Sequence, residues 1–288
     1  MTFVKTALHT LFLLTVSVFS LILFTYCSGS HETASGIHNG EVRIIATDDG
    51  YELPDSVLAG MVHIVFENRG STIHEAMFIR LPDNMTGEDY LEAVSNGADF
   101  PEGAIDYAGP GLTSPGEKVE TWLSLDPGNY ILACWFTGHL TSMPVHTLTV
   151  HKRESSGITP PKEDAILRLI DFRFELEGQL RKGAQVLRVE TIGPSMHEVD
   201  IFRLKDGRTL DDLREWQKKE KKGPAPAVAV GGVLDNHDIR RVVWIRTNFH
   251  PGQYVLWCNM PMVANNPGPG DDVTHADAGM FKEFVIED

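Results

Sequence analysis

Cysteine is scarce in this chain of 288 residues: there are three, at positions 27, 134 and 258, too few for a disulfide framework. Positive charge is also short, with 25 Lys and Arg against 40 Asp and Glu and a formal charge of -15. That balance argues against nucleic acid or an anionic lipid surface as the main partner. No His-x-His pair occurs among the 12 histidines, so a trinuclear oxygen-reducing copper site is not expected. The H-E-x-x-H, G-x-S-x-G and phosphate-loop signatures of common hydrolases and nucleotide enzymes are missing too. Composition is otherwise that of a globular protein, with 42% hydrophobic and 23% charged residues.

What is present begins with an apolar leader. Lys5 precedes a nearly unbroken apolar run from Leu11 to Phe24, the pattern of an export signal. Cys27, followed by Ser28-Gly29-Ser30, resembles the lipidated cysteine of a bacterial lipoprotein. An uncleaved anchor over Ala7 to Tyr26 and a plainly secreted protein are the alternatives. All three place the body outside the cytoplasm, in the periplasm or on the extracellular face, with lipidation at Cys27 the preferred reading.

The rest of the chain repeats. His74-Glu75 through Arg80-Leu81 recurs as His197-Glu198 through Arg203-Leu204, an offset of 123 residues. Pro127-Gly128-Asn129-Tyr130 through Cys134 recurs as Pro251-Gly252-Gln253-Tyr254 through Cys258, an offset of 124. A helix start with a capping threonine, Thr86 or Thr209, lies between these anchors in each half. Short runs rich in Val, Ile, Phe and Thr predict strands over Glu41–Ala46, Met61–Glu67, Glu75–Leu81, Val119–Leu125, Tyr130–Trp135 and Thr147–His151. The expected plan is all-β: two tandem Greek-key sandwiches, each with one inserted helix. The boundaries are a leader at 1–27, a polar tether at 28–40, a first domain at 41–151, a linker at 152–164 and a second domain at 165–288. Lys218 to Lys222 reads as the solvated end of the second helix.

Metal-ligand chemistry stands out in both halves. Cys134, His139 and Met143 share one short segment at C-x4-H-x3-M, and His74 lies sixty residues earlier at a strand start. The second half offers His197, Cys258, His275 and Met280, with C-x16-H-x4-M spacing. One thiolate with two imidazoles makes a trigonal set for copper, completed by a long axial contact to methionine sulfur. Zinc prefers four strong ligands, so methionine in the fourth place favours copper. Taken singly, a buried Cys or Met is an ordinary core residue and a lone His a surface one; their joint recurrence at metal spacing is the signal. His146, His151 and His250 read as surface or packing residues, and His63 has no paired spacing.

On these residues the chain resembles a protein of two cupredoxin, or type 1 blue copper, domains. The first-half loop is azurin-like, with C-x-F-x-G-H-x-x-x-M spacing, and the His-x4-Met ending of the second is plastocyanin-like. The resemblance implies one or two type 1 coppers, the first held by His74, Cys134, His139 and Met143 and the second by His197, Cys258, His275 and Met280. It depicts a non-catalytic electron carrier in which His139 or His275 presents an edge to a redox partner such as a basic cytochrome or reductase. Copper storage or delivery at the envelope, and a metal-free binding module, are the competing readings. Two departures from the family pattern stand out. Glu75 and Glu198 follow the first histidines, where asparagine usually ties the ligand loops together. The segment between Cys258 and His275 is far longer than usual.

Overall fold

The computed structural model describes residues 40–98, 101–153, 158–192, 194–234, 242–262 and 273–288. The leader and Cys27 lie outside the described residues, as does most of the segment between Cys258 and His275.

Alternation of side chains is what makes the strands. In β1 (Glu41–Thr47), Val42, Ile44 and Ala46 point inward while Glu41 and Arg43 face solvent; a strand with one face on a core requires this period of two. The first half continues through β2 (Gly50–Glu52), β3 (Ser56–Leu58), β4 (Gly60–Asn68), β5 (Met77–Leu81) and helix α1 (Gly87–Ser95). Then follow β6 (Ile105–Asp106), β7 (Gly109–Pro110), β8 (Lys118–Leu125), β9 (Gly128–Ala133), the one-turn α2 (His139–Ser142) and β10 (His146–His151). The second half comprises β11 (Ala165–Ile170), β12 (Arg173–Gly178), β13 (Gly183–Thr191), β14 (Val199–Leu204) and helix α3 (Leu210–Lys218). It ends with β15 (Ala227–Leu234), β16 (Val243–Phe249), β17 (Gly252–Trp257) and β18 (Phe281–Ile286).

The expected all-β plan with a helix inserted in each half is the observed one. Both helices open with a full capping box, Thr86 with Asp89 and Thr209 with Asp212, which satisfies backbone donors that the first turn leaves free. Each expected strand is present with ends shifted by up to two residues. The one-turn α2 was not anticipated: Gly138, at φ 82°, reverses the chain and launches it directly at His139.

The halves are joined more intimately than a linker between two sandwiches would require. One eight-stranded sheet runs β12-β11-β13-β16-β8-β4-β1-β2, so β16 of the second half pairs with β8 of the first, Trp244 opposite Trp122. Two five-stranded sheets, β3-β10-β9-β5-β6 and β18-β17-β14-β15-β7, form the opposing layers. In the latter, β7 of the first half adds to β15 of the second, Pro110 opposite Val233. This crossing needs bare backbone. A Cβ on Gly111 would run into the Gly232 backbone of the second half, while Gly109 and Gly232 press just as closely on the Ala76 and Val199 carbonyls of their own halves. A single buried cluster draws on both halves, from Ile44, Ile64 and Phe78 to Leu167, Ile201 and Ile245. Both candidate ligand sets therefore stand on a shared, rigid frame.

Candidate metal centres

In the first half, His74 is fixed by a backbone bridge in which its N–H donates to the Thr113 carbonyl at 3.1 Å and its carbonyl accepts from Thr113 at 2.8 Å. Cys134 sits just past β9, which pairs with β5 so that Met77 faces Ala133. His139 is the first residue of α2, its N–H donating to the Phe136 carbonyl at 2.9 Å. The ligand atoms of His74, Cys134 and His139 lie within 4.8 Å of one another. His197, Cys258 and His275 form the second such cluster, built from the corresponding strand ends of β14 and β17. Their sequence positions gave no direct proof of contact; the fold brings all six together as two triads.

The spacing within each triad fits a trigonal metal. Donors about 2.0–2.3 Å from a shared ion stand about 3.5–3.7 Å apart. The Cys134 Sγ is 3.3 Å from His139 Nδ1 and 4.0 Å from His74 Nδ1. In the second triad Cys258 Sγ is 3.5 Å from His275 Nδ1, and the two Nδ1 atoms of His197 and His275 are 3.1 Å apart. Each histidine thus turns the same nitrogen inward. Met143 and Met280 are buried at 7% and 0% exposure, and each methionine N–H donates to the carbonyl of its triad histidine, His139 or His275, at 2.8 Å. That backbone tie keeps each methionine beside its triad.

Two carboxylates not singled out in the sequence complete the arrangement. Asp48 Oδ1 is 3.1 Å from His74 Nε2, and Asp171 Oδ1 is 3.0 Å from His197 Nε2. A carboxylate on the outer nitrogen fixes the tautomer and turns the Nδ1 lone pair toward the metal position. Asp48 and Asp171 are 123 residues apart, the same offset as the histidines they hold, so the repeat itself carried the signal. Hydrogen bonds from the Ser71 hydroxyl and backbone hold Asp48 well below the usual carboxylate range.

The glutamates that depart from the family pattern perform the tie expected of asparagine. The Trp135 N–H donates to Glu75 Oε1 at 2.9 Å, and the Asn259 N–H donates to Glu198 Oε1 at 2.8 Å. Each bond links the residue after the first histidine to the residue after the cysteine. Burial, then the neighbouring Glu198 charge, pushes the Glu75 carboxyl up to about 8, and burial likewise raises Glu198. A neutral carboxylic acid has both an acceptor and a donor, as an asparagine side chain does.

Burial sets the remaining protonation states. It lowers His74, His139 and His197 below their ordinary range and brings His275 to about 4, so all four are neutral and able to ligate at neutral pH. It pushes the Cys134 thiol up to about 12 and raises Cys258 as well. Metal binding must therefore displace a proton from each thiol. Both cysteines are free of disulfides.

The two centres differ in access. His139 is partly exposed, whereas His275 is 1% exposed and meets the edge of Phe172 at 5.0 Å between ring centroids. The expectation that His275 offers an edge to a partner is corrected: its ring is sealed by packing. The Lys218 to Lys222 run also departs from its simple reading, because Lys221 turns back so that its Nζ stands 6.0 Å from the Phe136 ring centroid. His63, given no role from sequence, stacks on Trp122 at 4.3 Å and bonds Glu120 at 2.9 Å, a structural contact on the outer sheet face.

No protein-family model and no curated protein matches the chain. Solved structures do. An auracyanin from Roseiflexus castenholzii is 18% identical, covering 40% of this chain and 99% of its own, with a TM-score of 0.30. Auracyanin A, a "blue" copper protein from Chloroflexus aurantiacus, is 23% identical over 39% of this chain and 100% of its own, at a TM-score of 0.28. A multicopper oxidase is 12% identical, covering 86% of this chain and 88% of its own, at a TM-score of 0.26.

Proposed function

We propose that this chain is an exported, membrane-tethered electron carrier with type 1 copper in one or both halves. The observation that carries the reading is the duplicated triad: two inward Nδ1 atoms and one thiol at trigonal spacing, with a methionine tied beside them. Copper, when bound, supplies one-electron chemistry, and a fixed His2Cys set with a weak axial sulfur suits both of its oxidation states.

The chain's own residues provide the rest. Asp48 and Asp171 orient the histidines, Glu75 and Glu198 lock the ligand loops together, and the shared sheets keep both sets from rearranging when charge changes. His139, the partly exposed ligand, is the contact point for a redox partner. The sealed second centre serves as an internal electron store or relay. A net charge of -15 favours a partner with a basic patch, such as a cytochrome or reductase, and makes association weaken with salt. The apolar leader ending at Cys27 supports export and a lipid anchor.

Voltammetry on copper-loaded protein, beside visible absorption, tests this reading. A carrier shows a reversible couple and an intense thiolate-to-copper band. Colourless Cu(I) binding with transfer to an acceptor chelator would replace it with delivery, and absence of stoichiometric copper with a metal-free module.

A further inference from the structure

A cavity of about 620 Å³ opens between the two halves, against the ligand loops of the first centre. Its volume falls in the range of small-molecule sites, which favour such junctions. Thr72 and Phe136 line it from the first half, and Lys205, Trp216 and Lys221 from the second. Glu117 adds one carboxylate to the lining.

Its walls touch the candidate copper ligands directly. Thr72 Oγ1 lies 3.3 Å from His74 Nε2 and 3.5 Å from His139 Nε2. The Phe136 ring packs 5.1 Å from the His139 ring and 6.5 Å from that of Trp216. An occupant therefore leans on residues that in turn contact both histidines of the first centre.

The lining also selects chemistry. Two ammonium groups against one carboxylate make it a positive spot on a protein whose net charge is -15. Lys221 is held there at a cost: Glu220 and Lys221 both adopt left-handed backbone, at φ 52° and 57°, where non-glycine residues are strained. That reversal turns Lys221 back from the solvated helix end. The buried carboxyls of Glu75, Glu198 and Asp200 share its electrostatic field but do not line the cavity. Lys205 Nζ donates to the Ala225 carbonyl at 2.8 Å and Lys221 Nζ faces the Phe136 ring, so each ammonium has protons left for an anionic ligand, and a cationic ligand would be repelled. The Phe136 and Trp216 rings suit a flat apolar body.

We propose that this cavity binds a small aromatic carboxylate, its ring against Phe136 and Trp216 and its carboxylate on Lys205 and Lys221, and that occupancy is sensed at the first copper centre and not the second. The sensing half of the proposal rests on the copper reading above; the binding half does not.

Benzoate is the probe. Calorimetric titration of the metal-free full chain is expected to give saturable one-to-one binding at millimolar concentration. Affinity should fall about tenfold in Lys221→Met, since a charge-assisted contact is removed, and remain as wild type in Lys222→Met, a change to an exposed neighbour. Benzylammonium, the charge-reversed control, should not bind. If Lys221→Met does not fold, Lys205→Met serves in its place. In copper-loaded protein, benzoate should shift the absorption band that Cys134→Ser removes and leave the Cys258-dependent band unmoved. Failure of benzoate to saturate, equal binding by the lysine variants, or equal binding of benzylammonium would overturn the site. Benzoate binding to a protein that takes up no copper would keep the cavity and remove the copper reading; copper colour without benzoate binding would do the reverse.

Discussion

Replacing Glu75 with glutamine separates the acid's bracing role from its proton. In Glu75→Gln the new amide oxygen can accept the Trp135 N–H as Glu75 Oε1 does at 2.9 Å, while nothing remains to ionise. In the folded protein the Glu75 carboxyl, 4% exposed, titrates at about 8 instead of 4.5 because burial penalises its charged form. The unfolded chain begins to release this proton near 4.5, whereas the folded chain retains it until about 8. The stabilisation is complete below 4.5 and is lost as pH rises through 8, and the difference amounts to about 5 kcal/mol. Urea unfolding of metal-free protein at pH 5 and pH 8 reads it. Wild type should lose about 4 kcal/mol more than Glu75→Gln between these conditions. Parallel pH profiles for the two proteins would refute the claim that Glu75 is a neutral brace.

Further outcomes follow from other contacts. Asp48→Asn, which weakens the hold on His74 Nε2 now made at 3.1 Å, should reduce copper affinity at the first centre by about 10–100-fold in chelator competition; unchanged affinity would remove Asp48 from the site. Gly109→Ala places a Cβ against the Ala76 carbonyl, so unfolding free energy should drop by about 3 kcal/mol or more; a wild-type melting curve would contradict this close backbone approach. His275, lowered to about 4 by burial, leaves metal-free protein less stable as pH falls from 6.5 toward 4, by about 3 kcal/mol. That acid loss should shrink in His275→Gln, and an unaltered acid profile would show that the ring is not buried neutral.

Legibility in the sequence followed repetition. Strands such as β1 and β4 were visible because their apolar residues alternate, and the helices because Thr86 and Thr209 start them with capping boxes. The triads were visible because Cys, His and Met recur at ligand spacing in both halves. The shared eight-stranded sheet was not visible, since β8 and β16 look like ordinary strands and nothing local announces that they pair with each other. Very short pieces such as β7 carry too few residues for a pattern, and Gly109 acquires its meaning only from the carbonyl it approaches. Glu75 looked like a departure from the asparagine pattern, because its protonation depends on burial that no local motif encodes.

The central claim is that the triads hold type 1 copper, in one or both halves. The most direct test compares copper content and visible absorption of the wild type with Cys134→Ser and Cys258→Ser. One or two bound coppers with strong thiolate charge-transfer colour are expected, each band being lost with its own cysteine and kept in the other variant. Absence of copper-dependent colour in the wild type, or a band that survives in both single variants, would contradict it.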